Sequence, residues 1–154
     1  MWNFILSSYI CSQLTMVIQE TLRLYPPGAF VVRHTLEDIK LKDILVPKGT
    51  TIQIPISMVQ QLPELWGPDA ADFNPNRFED GIRGACKFPQ AYFPFGVGAR
   101  VCVGQNLAMT ELKVILSLIL SKLSFSLDPA YQHSPAFRLV IEPEHGVSLY
   151  VRRV

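Results

Sequence analysis

The sequence predicts an α+β fold, mainly helical with small β-sheets, and three observations carry that expectation. Leu14, Val17, Ile18 and Leu22 recur at three- and four-residue steps, the period of a helix. The run "VILSLIL" (114–120) is apolar nearly all round, which predicts a second, centrally buried helix. Short alternating runs bounded by Pro and Gly predict several small strand pairs.

In chain order, the first element is the helix from about Leu14 to Tyr25. Pro26-Pro27 cannot continue it. The nineteen residues "MWNFILSSYICSQLTMVIQ" carry no charge and reach the length of a membrane span. Asn, Ser, Gln and Thr interrupt them, and there is no basic flank or small-residue cleavage site. The favoured reading is an ordinary buried helix running on into "ETLRL". "AFVVRHT" reads as a strand. "LKDILVPKGTTIQIPI" reads as a hairpin-like pair turning at Pro47-Lys48-Gly49, with one face of 51–56 buried and Pro55 on an edge. Residues 57–94 show little periodicity and many turn formers, a length that is usually functional or wrapped around something. A helix from about Gln105 to Leu123 follows. "FRLVIEPEHGVSLYV" closes the chain as two short strands turning at Glu144-His145-Gly146.

Composition narrows the function classes. The 154 residues suffice for one ordinary domain, and charged residues are 18%, below the roughly 25% of soluble domains. Much surface is therefore expected to be buried or covered by a partner. A net charge of +1 argues for no strong attraction to nucleic acid or an anionic membrane. Three cysteines (Cys11, Cys86, Cys102) and three scattered histidines give neither a disulfide framework nor a zinc spacing. Cys102 is left as a thiol acting alone.

The surroundings of Cys102 suit a metal thiolate. In "FPFGVGARVCVGQNLA" (93–108), Gly98 and Gly104 remove Cβ atoms where a large planar cofactor would approach. Phe95 offers an aromatic face, Arg100 a cationic fork for a carboxylate, and a helix begins just beyond. The set Phe95, Gly98, Arg100, Cys102, Gly104 and Ala108 resembles the haem-binding loop of the cytochrome P-450 family, F-x-x-G-x-R-x-C-x-G with a following Ala, in full register. The bland alternative is a loop-to-helix turn holding a free cysteine. "ETLRLYPP" resembles the family's E-x-x-R helix, with Glu20 and Arg23 on one helix face. "FNPNRF" resembles its P-x-R-F segment and supplies Arg77, with Asn76 where Glu is common.

The resemblance implies the C-terminal part of that fold over residues 14–154, with a divergent segment over 1–13. Closest in wording are plant microsomal members acting on terpenoid hormones. It implies haem b, with Cys102 as the axial thiolate and sole protein ligand to iron. It implies cofactor contacts from Phe95, Gly98, Arg100 and Gly104, and a further propionate contact from Arg33, by its spacing from Arg23. Glu20, Arg23 and Arg77 are implied to form one buried architectural cluster. Pro27, Phe30, Val31 and His145 are implied to face a small lipophilic substrate of the terpenoid kind. For the complete enzyme it implies monooxygenase activity fed from NADPH through a reductase, at the cytosolic face of the endoplasmic reticulum membrane. The family's anchor, most of its helices, and the distal helix with its proton-delivering pair have no counterpart here. "VQQLPELW" departs from the family's His-Arg-Asp-Pro, a change expected to touch only a surface or near-surface turn. A catalytically silent chain, binding haem weakly or acting only as an interaction partner, is the alternative.

Overall fold

The computed structural model describes residues 2–154, with side chains from residue 11 onward. Helix α1 spans Trp2–Leu24. It ends one residue before Tyr25 and the proline pair, as the lost amide of Pro26 requires. It also runs unbroken through residues 2–13, in keeping with an ordinary helix there; the side chains of residues 1–10 lie outside the described residues. No helix of the described residues is long and apolar enough to cross a membrane.

Four two-stranded antiparallel sheets follow. β1 (Phe30–His34) pairs with β4 (Thr51–Pro55), and β2 (Ile39–Leu41) pairs with β3 (Ile44–Val46). The turn at Pro47–Gly49 exists, closed by the Thr50 amide on the Pro47 carbonyl. It does not make a hairpin, however, because its flanking strands take other partners. The reversal that pairs β2 with β3 falls at Lys42-Asp43, where Lys42 adopts φ 52°. Of the face expected to be buried, Ile56 is buried and Ile52 half-buried, but Ile54 is exposed.

The irregular stretch from 57 to 94 is wrapped around α1. Short helices α2 (Ile56–Val59), α3 (Pro63–Trp66) and α4 (Gly81–Ala85), with 3-10 turns at Pro75–Phe78 and Pro89–Ala91, carry Trp66, Ala70, Phe78, Ala85 and Ala91 onto Met16. Trp66, Phe78 and Tyr92 pack edge-on or tilted, with centroids 5.2–6.2 Å apart. The buried core of the chain is this segment against α1.

Helix α5 spans Gln105–Leu120, three residues short of the expected end, because Leu123–Leu127 leaves the helix to form strand β5. β5 pairs with β8 (Leu149–Arg153), while β6 (Pro135–Phe137) pairs with β7 (Ile141–Pro143). The Glu144–Gly146 turn is present, with Gly146 N–H on the Pro143 carbonyl, but β7 and β8 on its two sides do not pair with each other. The expected central burial of α5 does not hold. None of its residues is buried, and Val114, Ile115, Leu118 and Leu120 are about half exposed, 50–58%. Its apolar circumference calls for neighbours on all sides, and among the described residues it is chiefly α1 and β5 that lie against it.

Candidate haem-binding site

The loop that presents Cys102 is built on its own backbone. Phe93 is buried, and its carbonyl accepts from the Gly96 N–H at 2.9 Å. The Phe95 carbonyl accepts from the Cys102 N–H at 2.8 Å. A 3-10 turn at Gly98–Arg100 reverses the chain between them, and Gly98 sits at φ 79°, where a side chain would be strained. The Cys102 carbonyl accepts from Gln105 at 3.3 Å, leading into α5 with Gly104 as its N-cap. The thiol therefore sits three residues ahead of a sixteen-residue helix, exposed, with an exposed apolar fringe of Val97, Val101, Val103 and Leu107. A Cβ built on Gly104 would stand 3.8 Å from Cys102 Sγ, in space beside the sulfur that is now open.

These residues fit a haem. Among the described residues no group of three or more His, Cys, Asp or Glu side chains could hold a metal ion. One sulfur alone suits an iron whose remaining ligands come from a macrocycle, and a soft thiolate is such an axial donor. Open space at the glycines and an apolar fringe suit a flat, largely apolar ring.

Arg100 is exposed in the loop, and Phe95 is half-buried beside it. Arg33 is half-buried on β1, its guanidinium donating to the neighbouring Val32 carbonyl at 2.9 Å. Pro27 and Phe30 come together with the β6–β7 hairpin. The Pro27 carbonyl accepts from Ile141 N–H at 3.0 Å, and the Phe30 and Phe137 rings meet edge to face at 5.5 Å. Phe137 was not singled out from sequence, since nothing local to it signals that contact. Val31 is half-buried, and His145 is exposed and lies 3.7 Å from Glu144.

The charged cluster is assembled where α1 meets the 57–94 segment. Glu20 and Arg23 are fully buried and joined by two bonds of 2.7 and 2.8 Å. Arg23 also donates to the carbonyls of Gln60, Ala70 and Asp72, and its guanidinium lies 5.1 Å from the Trp66 ring centre. Glu20 accepts from the Asn74 amide at 2.8 Å. Arg77 does join them, 3.7 Å from Glu20, but its shorter pairing is to Asp69 at 2.8 Å. Asp69 was missed in the sequence because an acid in a polar turn carries no periodic signal. The Arg77 guanidinium holds the Asp69 carboxyl below the usual carboxylate range.

One expectation is overturned. Gln60, in the segment that departs from His-Arg-Asp-Pro, is not near the surface; it is fully buried and bonded both to the end of α1 and to Phe93. Of the other two cysteines, Cys86 differs from Cys102 in its burial. Burial pushes the Cys86 thiol up, and its Sγ sits 3.1 Å from the Phe88 carbonyl. Cys11 and Cys102 are exposed. A thiol-alkylating reagent at neutral pH is thus expected to label Cys11 and Cys102 well before Cys86, as read by peptide mass spectrometry. Equal labelling of all three would contradict the burial of Cys86.

Residues 12–149 match the Cytochrome P450 family model. The chain is 62% identical over 142 residues to "Cytochrome P450 714C2" of Oryza sativa subsp. japonica and 56% identical over 138 residues to "Cytochrome P450 714A2" of Arabidopsis thaliana, covering 92% and 90% of this chain. It is 44% identical over 141 residues to "11-oxo-beta-amyrin 30-oxidase" of Glycyrrhiza uralensis, covering 92% of this chain. It spans about a quarter of these relatives, 27%, 26% and 27% of their lengths. Among solved structures, retinoic acid-bound cyanobacterial CYP120A1 superposes with a TM-score of 0.85 at 29% identity, over 92% of this chain and 33% of that one. CYP102L1 superposes with a TM-score of 0.82 at 30% identity, over 91% and 31%. A lone thiol framed by glycines at the head of α5, a buried Glu–Arg pair on α1, and these likenesses in sequence and shape lead to one conclusion: the chain belongs to the cytochrome P450 family.

Proposed function

We propose that this chain is the haem-thiolate portion of a monooxygenase, with Cys102 as the axial ligand to iron. The observation that carries the reading is the loop itself. It presents one exposed sulfur, which belongs to no cluster of three or more metal-ligating side chains among the described residues, between glycines that leave room for a planar ring. Haem, when bound, supplies the centre at which dioxygen is activated with electrons drawn from NADPH through a reductase. The chain's share is placement and shielding. The Phe95–Cys102 hydrogen bond holds the thiol at a set height on the loop. With a ring seated on the loop, Phe95 and the valine fringe would help keep water from the sulfur. Arg100, and Arg33 from β1, are assigned to the carboxylates on the haem edge. Pro27, Phe30, Val31 and His145 are assigned to the substrate side, where Phe30 already meets Phe137.

The substrate in this reading is a small lipophilic molecule of the terpenoid kind, in keeping with the name of the Glycyrrhiza relative. The location is the cytosolic face of the endoplasmic reticulum membrane. A second reading, a chain that binds haem weakly and does not turn over, draws support from the exposed apolar flank of α5. Such a flank binds a partner or aggregates.

The test is reconstitution with haemin followed by the spectrum of the reduced, carbon monoxide-bound form. A thiolate-ligated band is expected, with no NADPH-driven hydroxylation when a reductase is added to the chain alone, since no residue of this chain is assigned to proton delivery on the opposite haem face. Absence of a thiolate band would remove the first reading. Turnover by the isolated, monomeric chain would remove the second.

A further inference from the structure

We propose that Gln60 is the positioning residue for the Cys102 loop, joining the end of α1 to the point where that loop begins. Its side-chain Nε2 donates to the carbonyls of Leu22 and Arg23, at 3.1 and 3.0 Å. These belong to the last turn of α1, whose carbonyls have no partner within the helix. Its Oε1 accepts from the Phe93 N–H at 2.8 Å. Phe93 in turn opens the loop, since its carbonyl holds Gly96. The backbone of Gln60 is engaged as well, its N–H on the Ile56 carbonyl and its carbonyl under Arg23 Nη1 at 2.9 Å. The residue is fully buried.

The surroundings dictate an amide. Two carbonyls on one side need two donors, and one N–H on the other needs an acceptor; among side chains of this length only Gln offers both without charge. The same pattern fixes which end of the amide is oxygen. A buried amide held at both ends in this way is costly to displace, because each partner left behind is a buried group without water. Tyr92, whose hydroxyl donates to the Gln19 carbonyl at 3.2 Å, gives the segment a second tie to α1. Gln60 is the tie that reaches the backbone of the loop. Through it, the buried Glu20–Arg23 pair and the thiol loop share one rigid frame. The catalytic meaning of that frame rests on the reading of the loop as the haem-thiolate site; the mechanical joint does not.

The experiment uses the full chain in a mild detergent, which covers the exposed flank of α5. Amide hydrogen exchange is followed by NMR without haem, and the reduced carbon monoxide spectrum is taken with haem. Gln60→Met keeps length and bulk but removes every hydrogen bond of the side chain. It is expected to speed exchange at Phe93 about tenfold or more, with Gly96 and Cys102 following. The amides of the β5–β8 ladder should stay unchanged, and the thiolate band should shrink in favour of a neutral-thiol form. Gln60→His keeps one donor and one acceptor when neutral, so it should recover part of the Phe93 protection and part of the band. Unchanged Phe93 exchange in Gln60→Met would overturn the proposal. So would an equal acceleration throughout the β5–β8 ladder, which would mean general loosening. If Gln60→Met does not fold, Gln60→His decides by the same comparison of Phe93 with the ladder. If the unmutated chain gives no thiolate band, the haem reading fails, and the exchange data still decide the joint.

Discussion

Replacing Arg23 by alanine is expected to destabilise the chain by about 3–5 kcal/mol. That is a large part of the roughly 5–15 kcal/mol that holds an ordinary domain together. All five N–H donors of Arg23 are used: two on Glu20 and three on the carbonyls of Gln60, Ala70 and Asp72. Truncation leaves those carbonyls orphaned and strands the fully buried Glu20 carboxylate with the Asn74 amide and Arg77 at 3.7 Å. Lysine keeps the charge but has three donors and no planar fork, so Arg23→Lys should restore only part of the loss. Urea unfolding provides the measurement. A loss under about 1 kcal/mol would class the pair with exposed salt bridges. Glu20 and Arg23 should be strongly non-additive in a double-mutant cycle. Glu20 and Arg77 should also couple, but less, because Arg77 divides its guanidinium between Glu20 and the closer Asp69.

Cys102→Ser is expected to abolish the thiolate spectrum of the haem-loaded chain outright. Serine is nearly isosteric, so the loop should keep its Phe95–Cys102 backbone bond, and only the soft anionic donor is lost. Neither other cysteine can take over. Cys86 is half-buried, its thiol is pushed up by burial, and it is directed to the Phe88 carbonyl. Cys11 lies within α1 and has no glycine frame. Cys86→Ala and Cys11→Ala should leave the spectrum as it was. A thiolate band that survived in Cys102→Ser and vanished in either of the others would move the ligand away from this loop.

Local rules decided much of this. Pro26-Pro27 stopped α1 where the missing amide demands, and period alone placed α5 to within three residues at its C-terminal end. Both expected turns formed, at 47–49 and at 144–146. Their strands nonetheless paired elsewhere, β3 with β2, β4 with β1, and β8 with β5. A turn is set by four residues, whereas pairing is set by which edges meet across the whole chain. That is also why the helix was extended to Leu123, where β5 in fact begins, and the rest of β5 was not read as a strand.

The motif around Cys102 could be read directly, because a loop that presents one sulfur to a flat ring needs particular residue types at fixed spacing. Glu20 and Arg23 were legible for the same reason, three residues apart on one helix. The partners that come from distant segments were not. Asp69 on Arg77 and above all Gln60 beneath Phe93 lie in stretches with no periodicity of their own, and Phe137 meets Phe30 across more than a hundred residues of sequence. A glutamine in a turn reads as solvated until the fold buries it and supplies two carbonyls and an amide. The exposure of α5 was decided in the same way. Its sequence carries the apolar circumference of a covered helix, but burial depends on the neighbours that the tertiary arrangement brings, and among the described residues these reach only part of it. Sequence alone determined the chemistry this chain offers. Which groups hold that chemistry in place was settled only where the chain folds back on itself, since a buried polar group is satisfied by whatever stands beside it in space.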